Sequence, residues 1–216
     1  GPLQGMHDPK LRVLVIGGMP PSDLKPDPRC IFLPNFQQQR DPARIAEILL
    51  AEMAAQLDVP CSAMYRSMDG PEGARLELAA SYAAANPPQT LPAGEGLAGQ
   101  CQREKKRILL ETTPPGYLRI GSALGGAKPA VVLAEPVIFE GNVKAVIELA
   151  AFKPFEALQL EFIRQAAVSA GVVLHAVEAM LRTEELLRES QALASQLETQ
   201  GRALAQENEG LEAQTD

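Results

Sequence analysis

Histidine and cysteine are scarce in this sequence, and their scarcity limits the chemistry that we expect of it. The 216 residues include two histidines, His7 and His175, and three cysteines, Cys30, Cys61 and Cys101. Most hydrolases and transferases need a nucleophile, a base and an orienting group, and no Ser–His or Cys–His arrangement can be proposed here. The cysteines are widely spaced and form no CxxC pair, which favours a reducing compartment over a disulfide framework. We therefore expect a cytoplasmic protein that is not an enzyme and has no metal site.

Long apolar runs and phosphate-binding motifs are also missing. The best apolar runs, 131–139 and 143–151, are interrupted by Glu or Lys, whereas a membrane span needs about 20 apolar residues. A formal net charge of −7 repels nucleic acids and anionic lipids. Gly17-Gly18 follow a strand-like run, but neither GxGxxG nor GK[ST] occurs. We expect no nucleic-acid partner and no membrane insertion.

The N-terminal region differs in composition from the rest. Residues 1–5 resemble the remnant of a cleaved purification tag, and 6–40 contain a β-rich run at 11–16 followed by a proline-rich stretch. We interpret this run as an added edge strand or a linker, and the stretch after it as an irregular arm.

Hydrophobic periodicity and turn residues predict an α+β domain from residue 41 onward. Asp41 is a suitable N-cap before Pro42, and apolar residues then recur at helical spacing as far as Asp58. Strands are predicted at 61–68, 75–82, 108–110, 131–139 and 143–151. Turn residues join the first pair and the last pair, so we expect an antiparallel sheet.

A single long helix is predicted from Phe155 to about residue 213, because this stretch contains no proline. Its distal half would extend beyond the domain and would need a partner. In one heptad register Leu197, Leu204 and Leu211 occupy d positions, with Leu187, Ala194, Gly201 and Asn208 at a. In the other register Leu186 and Leu193 are at d, the same three leucines are at a, and Gln200 and Glu207 fall in the seam. Either seam is polar in part, which predicts a weak parallel homodimer.

Four segments resemble the GAF domain family, in particular the GAF domains of bacterial hybrid sensor histidine kinases. They are 91–100 (LPAGEGLAGQ), 104–110 (EKKRILL), 117–122 (YLRIGS) and 139–149 (FEGNVKAVIEL). The resemblance covers 41–180, and 181–216 resembles the signalling helix that follows such domains. It implies a central antiparallel sheet of about six strands, with helices on one face and a small-molecule cavity over the other.

The candidate site residues lie in the regions that would surround this cavity. Thr113, Tyr117, Arg119 and Ser122 could converge on a small polar or anionic ligand, or belong to a solvated loop. Glu148 either faces the cavity or pairs with a charge on a neighbouring strand. Cys101 follows the glycine-rich loop and is expected to line the cavity. Because Gln102-Arg103 replaces the Cys-His pair of bilin-attaching relatives, no tetrapyrrole is expected; the identity of any cofactor stays open.

The family resemblance implies a sensory and dimerisation module, in a fragment of a sensor histidine kinase. One alternative is a ligand-free dimerisation linker. A less favoured alternative is an enzyme that reduces free methionine sulfoxide, because the cysteine-rich pattern of those GAF enzymes is missing. The signature of cyclic-nucleotide-binding relatives is also missing. His175 lies among apolar helix positions, where a packed histidine is commoner than a ligand.

Overall fold

The computed structural model describes residues 13–16, 30–33, 39–70, 73–113, 118–122 and 125–212. Of these, the side chains of 13–16, 30–33, 122 and 203–212 are not described. The predictions for residues 1–5 and Tyr117, and for the side chains of Ser122, Leu204, Asn208 and Leu211, therefore lie outside the described part. The chain divides into two compact units, residues 1–175 and 176–216.

The described elements are ten strands and three helices. In chain order they are β1 (Val13–Ile16), β2 (Cys30–Leu33), α1 (Pro42–Leu57), β3 (Cys61–Gly70), β4 (Gly73–Tyr82), β5 (Thr90–Pro92), α2 (Gly96–Glu104), β6 (Ile108–Leu110), β7 (Ile120–Ser122), β8 (Gly125–Ala127), β9 (Val131–Phe139), β10 (Asn142–Ala151) and α3 (Ala157–Glu212).

A six-stranded sheet in the order β5-β4-β3-β10-β9-β6 forms the centre of the first unit. Every neighbouring pair in it is antiparallel. The predicted α+β fold with a central sheet of about six strands is confirmed. The long strands β3, β9 and β10 occupy the middle, and each is buried over at least half of its length because both faces of the sheet are covered.

Helix α1 begins and ends as its capping residues predict. The Asp41 side chain accepts a hydrogen bond of 2.9 Å from the backbone N–H of Ala43, and Pro42 occupies the first turn. Asp58 has a left-handed backbone with φ of 56°, which ends the helix. Ile45, Leu49 and other residues at this spacing are buried, and α1 lies along β3 and β4.

Arg107 ties the start of α3 to the sheet. Its Nε donates to the carboxylate of Glu135 on β9, and one of its two terminal nitrogens, Nη2, donates to the backbone oxygen of Leu160 over 2.7 Å. Burial raises the pKa of Glu135, while the bond from Arg107 and its charge lower it. One side chain thus neutralises a buried carboxylate and fixes the first turns of α3.

The β9–β10 hairpin has a two-residue loop. The loop is Glu140 and Gly141, with φ of 48° and 78°. Asn142 already pairs with Phe139 as the first residue of β10. A two-residue loop of this kind requires positive φ at both central positions, so Glu140 adopts it despite its side chain.

The N-terminal strand also differs from its prediction. β1 pairs in parallel with β2 in a separate two-stranded sheet, so it is not an edge strand of the central sheet. The arm after it contains a strand because residues 30–33 are a proline-free run, Cys-Ile-Phe-Leu, between Pro28 and Pro34.

Residues 87–128 contain more regular structure than their composition predicts. The glycine-rich segment becomes helix α2, and β5 and the small β7–β8 hairpin lie on either side of it in sequence. Gly99 in α2 lies so close to the backbone that a Cβ would be 2.7 Å from the oxygen of Pro92. The glycine that lowers helix propensity therefore permits the close packing of α2.

Within the described residues, one helix segment has the length and apolar composition of a membrane span. It is Ala157–Arg202 of α3, and 44% of its most apolar stretch is buried within the protein. Core helices of soluble proteins meet the same criteria, so this feature is weak support for a span. The apolar composition of this segment differs from our expectation that no segment would be apolar enough to span a membrane.

Candidate functional site

A cavity of about 290 Å³ lies over the face of the central sheet formed by the middle strands. Its lining comes from β3, β9 and β10, from the connection at 84–88, and from residues 118–119. Most of this lining is apolar, including Ala63, Val132 and Ala150. The polar side chains on it include those of Tyr65, Asn86, Arg119 and Glu148.

Glu148 is in the cavity lining, which is one of its two predicted positions. Ala63 and Ala134 are its cross-strand neighbours, so neither adjacent strand places a charge directly opposite it. Burial raises the pKa of the Glu148 carboxyl, and a hydrogen bond from the backbone N–H of Ala98 opposes that rise. The side chain is only half-buried by exposed area, and its remaining surface faces the cavity.

The bond from Ala98 gives Glu148 a second role at the N-terminus of α2. Glu95 is the N-cap residue of α2, but its side chain makes no capping hydrogen bond. The first N–H groups of a helix lack partners within the helix, and a carboxylate is favoured beside them. Glu148, from the middle of the sheet, supplies that carboxylate and so links β10 to α2.

Arg119 lines the cavity from the segment leading into β7. One of its guanidinium nitrogens donates to the backbone oxygen of Gly126 on β8 over 3.0 Å. The side chain is otherwise exposed. A guanidinium has five N–H donors, so this bond leaves donors to bind an anionic group.

Cys101 and Thr113 are placed outside the cavity lining. The Cys101 side chain is fully buried in the same hydrophobic core cluster as Leu97 and Val146. The Thr113 hydroxyl is buried and donates to the backbone oxygen of Pro129 over 3.2 Å. Of the predicted ligand-binding residues whose side chains are described, the structure therefore brings together Arg119 and Glu148.

Neither of the two cysteines whose side chains are described, Cys61 and Cys101, has the electrostatic surroundings of a reactive thiol. Burial, followed by the charges of Glu135, Glu148 and Glu104, raises the pKa of Cys101 to about 12. Burial and Glu148 also raise the pKa of Cys61. Thiols with raised pKa values hold little thiolate, which is the nucleophilic form. In the described part of the chain, no group of three or more His, Cys, Asp or Glu residues is placed to hold a metal ion.

Sequence reasoning missed the contributions of β3 and of residues 84–88. Tyr65 lies at the same strand spacing as Ala63, so period-two alternation could have placed it on the cavity face. Burial and the charge of Glu148 raise the pKa of Tyr65 to about 12, so its phenol stays protonated near the carboxylate. Asn86 has φ of 52°. Its position in the lining depends on a turn that no sequence motif predicts.

The predicted dimer residues lie on an exposed part of α3. Leu187 and Leu197 are 58% and 60% exposed, and Leu186 and Leu193 are 57% and 59% exposed. Because these values are nearly equal, they favour neither heptad register. The backbone of Leu204, Asn208 and Leu211 is helical.

A family model described as GAF domain matches residues 39–175. The chain belongs to the GAF domain family. No curated protein sequence matches it.

Several solved structures have the same fold at low sequence identity. The GAF domain of an Acinetobacter phosphoenolpyruvate-protein phosphotransferase is 18% identical, with a TM-score of 0.52 over 66% of this chain and 87% of that one. The GAF-B domain of DevS from Mycobacterium smegmatis is 21% identical, with a TM-score of 0.50 over 66% and 99%. A free methionine-R-sulfoxide reductase from Neisseria meningitidis is 14% identical, with a TM-score of 0.53 over 66% and 83%.

Proposed function

We propose that this GAF domain is a cytoplasmic, non-catalytic sensing and dimerisation module that binds a small ligand in the cavity. One observation carries the proposal. Glu148 lines the cavity on β10, and only residues 152–156 separate the end of that strand from the start of α3. A ligand that moves Glu148 therefore acts on the strand that leads into the long helix.

The contacts around β10 supply a physical route for the signal. Glu148 is bonded to α2 through Ala98, and Arg107, which follows α2 in the chain, is bonded to the α3 backbone at Leu160. A ligand that competes for the Glu148 carboxylate would change the α2 contact. Binding shifts the equilibrium between two arrangements only by its difference in affinity for them, and Glu148 supplies such a difference.

The output side of the proposal is a parallel homodimer through 181–216. Leu187, Leu197 and their neighbours are exposed on an isolated helix, and a second copy would cover them. We propose a sensor histidine kinase as the parent protein because of the resemblance of segments 91–100 and 139–149 to GAF domains of that class. The GAF-B domain of DevS and residues 122 to 287 of a methyl-accepting chemotaxis protein have this fold, at 21% and 12% identity.

Native mass spectrometry of the full chain, purified without stripping, tests the ligand. A retained small molecule that Arg119→Ala or Glu148→Gln releases would support sensing through this cavity. A clean apo mass, together with no thermal stabilisation by a broad metabolite panel, would instead favour the ligand-free dimerisation linker.

The alternative of a methionine sulfoxide reductase is supported only by similarity of fold to the Neisseria meningitidis enzyme. The raised pKa values of Cys61 and Cys101 weigh against it. An assay for reduction of free methionine sulfoxide, with Cys101→Ser as the control, tests it directly. Turnover that Cys101→Ser abolishes would replace the sensing proposal with an enzymatic one.

A further inference from the structure

Two opposite charges line the cavity, and they do not neutralise each other. Glu148 is on the sheet, and Arg119 is on the segment that leads into β7. No salt bridge within 4 Å joins them among the described ion pairs, which include Arg107 with Glu135. The guanidinium of Arg119 is also not among the causes that set the pKa of Glu148, whereas Arg107 lowers the pKa of Glu135.

The contrast with Glu135 shows what Glu148 lacks. Both carboxyls have a pKa raised mainly by burial. Glu135 forms an ion pair with the Arg107 guanidinium, whereas Glu148 accepts a hydrogen bond from the uncharged backbone N–H of Ala98, which is a weaker interaction. A carboxylate taken out of water without a counter-charge is costly, so a bound cation at Glu148 would be favoured.

The remaining lining limits what such a cation could be. Ala63, Val132 and Ala150 offer hydrocarbon, and the cavity of about 290 Å³ is at the small end of ligand pockets. The Tyr65 ring lies near enough to Glu148 to feel its charge and could face an ammonium group. An anion alone would meet the Glu148 carboxylate in a partly buried site, where like charges repel strongly.

We propose that the cavity binds a small zwitterion of the α-amino acid class, with its ammonium group at Glu148 and its carboxylate at Arg119. This inference rests on the proposed ligand-sensing function and names the class of ligand. Each charge of the zwitterion meets the opposite charge of the protein, and the apolar lining holds the ligand side chain. A phosphate or dicarboxylate ligand would satisfy Arg119 but leave Glu148 facing an anion.

The test compares ligands that differ by one charge. The full chain is titrated calorimetrically with the proteinogenic L-amino acids and, for L-leucine, with isoamylamine, which lacks the carboxylate, and isocaproate, which lacks the ammonium group. For every amino acid that binds, the corresponding amine and acid are added. We expect at least one amino acid to bind about tenfold or more tightly than either of its single-charge analogues.

Two variants assign the charges to residues. Glu148→Gln keeps an acceptor for the Ala98 N–H and should weaken the amino acid and its amine while leaving the acid unchanged. Arg119→Ala should weaken the amino acid and its acid while leaving the amine unchanged. Thermal melts of each variant show that it folds.

The outcomes separate this inference from the function on which it rests. If no amino acid binds, or if an analogue with one charge binds as tightly, the zwitterion inference is overturned. In that case a different small molecule retained in native mass spectrometry would leave the sensing function standing. An apo mass and no binding from the metabolite panel would overturn both.

Discussion

Gly171 of α3 lies directly against the backbone of Ile138 on β9. A Cβ on residue 171 would be 2.7 Å from the Ile138 carbonyl oxygen, which is closer than packed atoms approach. We predict that Gly171→Ala lowers the free energy of unfolding by about 1 to 3 kcal/mol, because helix and strand must separate. Urea denaturation followed by circular dichroism measures this loss.

Gly201 is the matched control because it lies in the same helix with no atom within 4 Å of a built Cβ. Gly201→Ala should be neutral or should stabilise the helix by up to about 1 kcal/mol, since alanine is the better helix former. Equal effects at the two glycines would show that the contact with Ile138 does not limit packing.

The buried pair of Arg107 and Glu135 gives a second stability prediction. Arg107→Met leaves the Glu135 carboxylate buried without its cation, and we expect a loss of about 2 to 4 kcal/mol at neutral pH. Without Arg107 the Glu135 pKa rises further, and a carboxyl whose folded pKa is raised is stabilised by protonation. The deficit should therefore shrink as pH falls toward 4.5, the ordinary value for a Glu carboxyl.

Thermal melts between mildly acidic and neutral pH measure that dependence. The double variant Arg107→Met with Glu135→Gln is its control, since it carries no buried charge. If the double variant is destabilised as much as Arg107→Met at every pH, the loss of stability comes from packing or from the missing hydrogen bond to Leu160.

Comparison of the fold with the sequence-based predictions shows which structural features of this chain can be predicted from its sequence. The capping signal at Asp41 and the periodicity of β9 and β10 are local, so they placed α1 and the central strands correctly. Helix α2 was missed because its two glycines lower helix propensity, although Gly99 is needed for the close tertiary contact with Pro92. Local composition cannot report a contact between distant backbones.

The candidate site also contains residues that local sequence signals identify and residues that depend on tertiary contacts. Glu148 could be singled out because a carboxylate among the apolar residues of a strand is a conspicuous local signal, and the cavity lining was one of the two positions predicted for it. Thr113 could not, because its hydroxyl bonds to Pro129 through a connection without regular periodicity. The lining at 84–88 depends on turn geometry such as the left-handed Asn86, which a hydrophobic pattern does not predict.

Glu148→Gln should raise the stability of the ligand-free protein at neutral pH. Burial raises the Glu148 pKa, so the ionised carboxyl is less stable in the folded state than in the unfolded one. The advantage of the variant should diminish as pH falls through the raised pKa toward 4.5, where wild type becomes protonated. Melting temperatures across this range, without ligand, measure it; a variant less stable at neutral pH would mean that the Ala98 bond outweighs burial.

Cross-linking distinguishes the two heptad registers of the proposed dimer. Leu187 is at an a position in the first register, whereas Leu186 is at d in the second. Cysteines at a and d positions of a parallel pair face each other, so one of Leu187→Cys and Leu186→Cys should form a disulfide far more readily. Cys30→Ser in both variants removes a native thiol that could compete. Failure of both variants, with a monomeric mass at micromolar concentration, would exclude the parallel dimer.

The last prediction concerns the polar residues of the proposed seam. In the first register Gly201 and Asn208 occupy a positions, where a glycine and an amide weaken a coiled coil. Gly201→Leu with Asn208→Ile should strengthen the dimer and hold the parent signalling protein in one output state whether or not ligand is present. Gln206→Ala is the control, because residue 206 points outward in both registers and the change improves only helix propensity. Output of the parent protein is measured with and without ligand, beside the thermal stability of the dimer. Normal ligand-dependent output from a demonstrably stabilised double variant would show that a weak distal helix is not part of the switch.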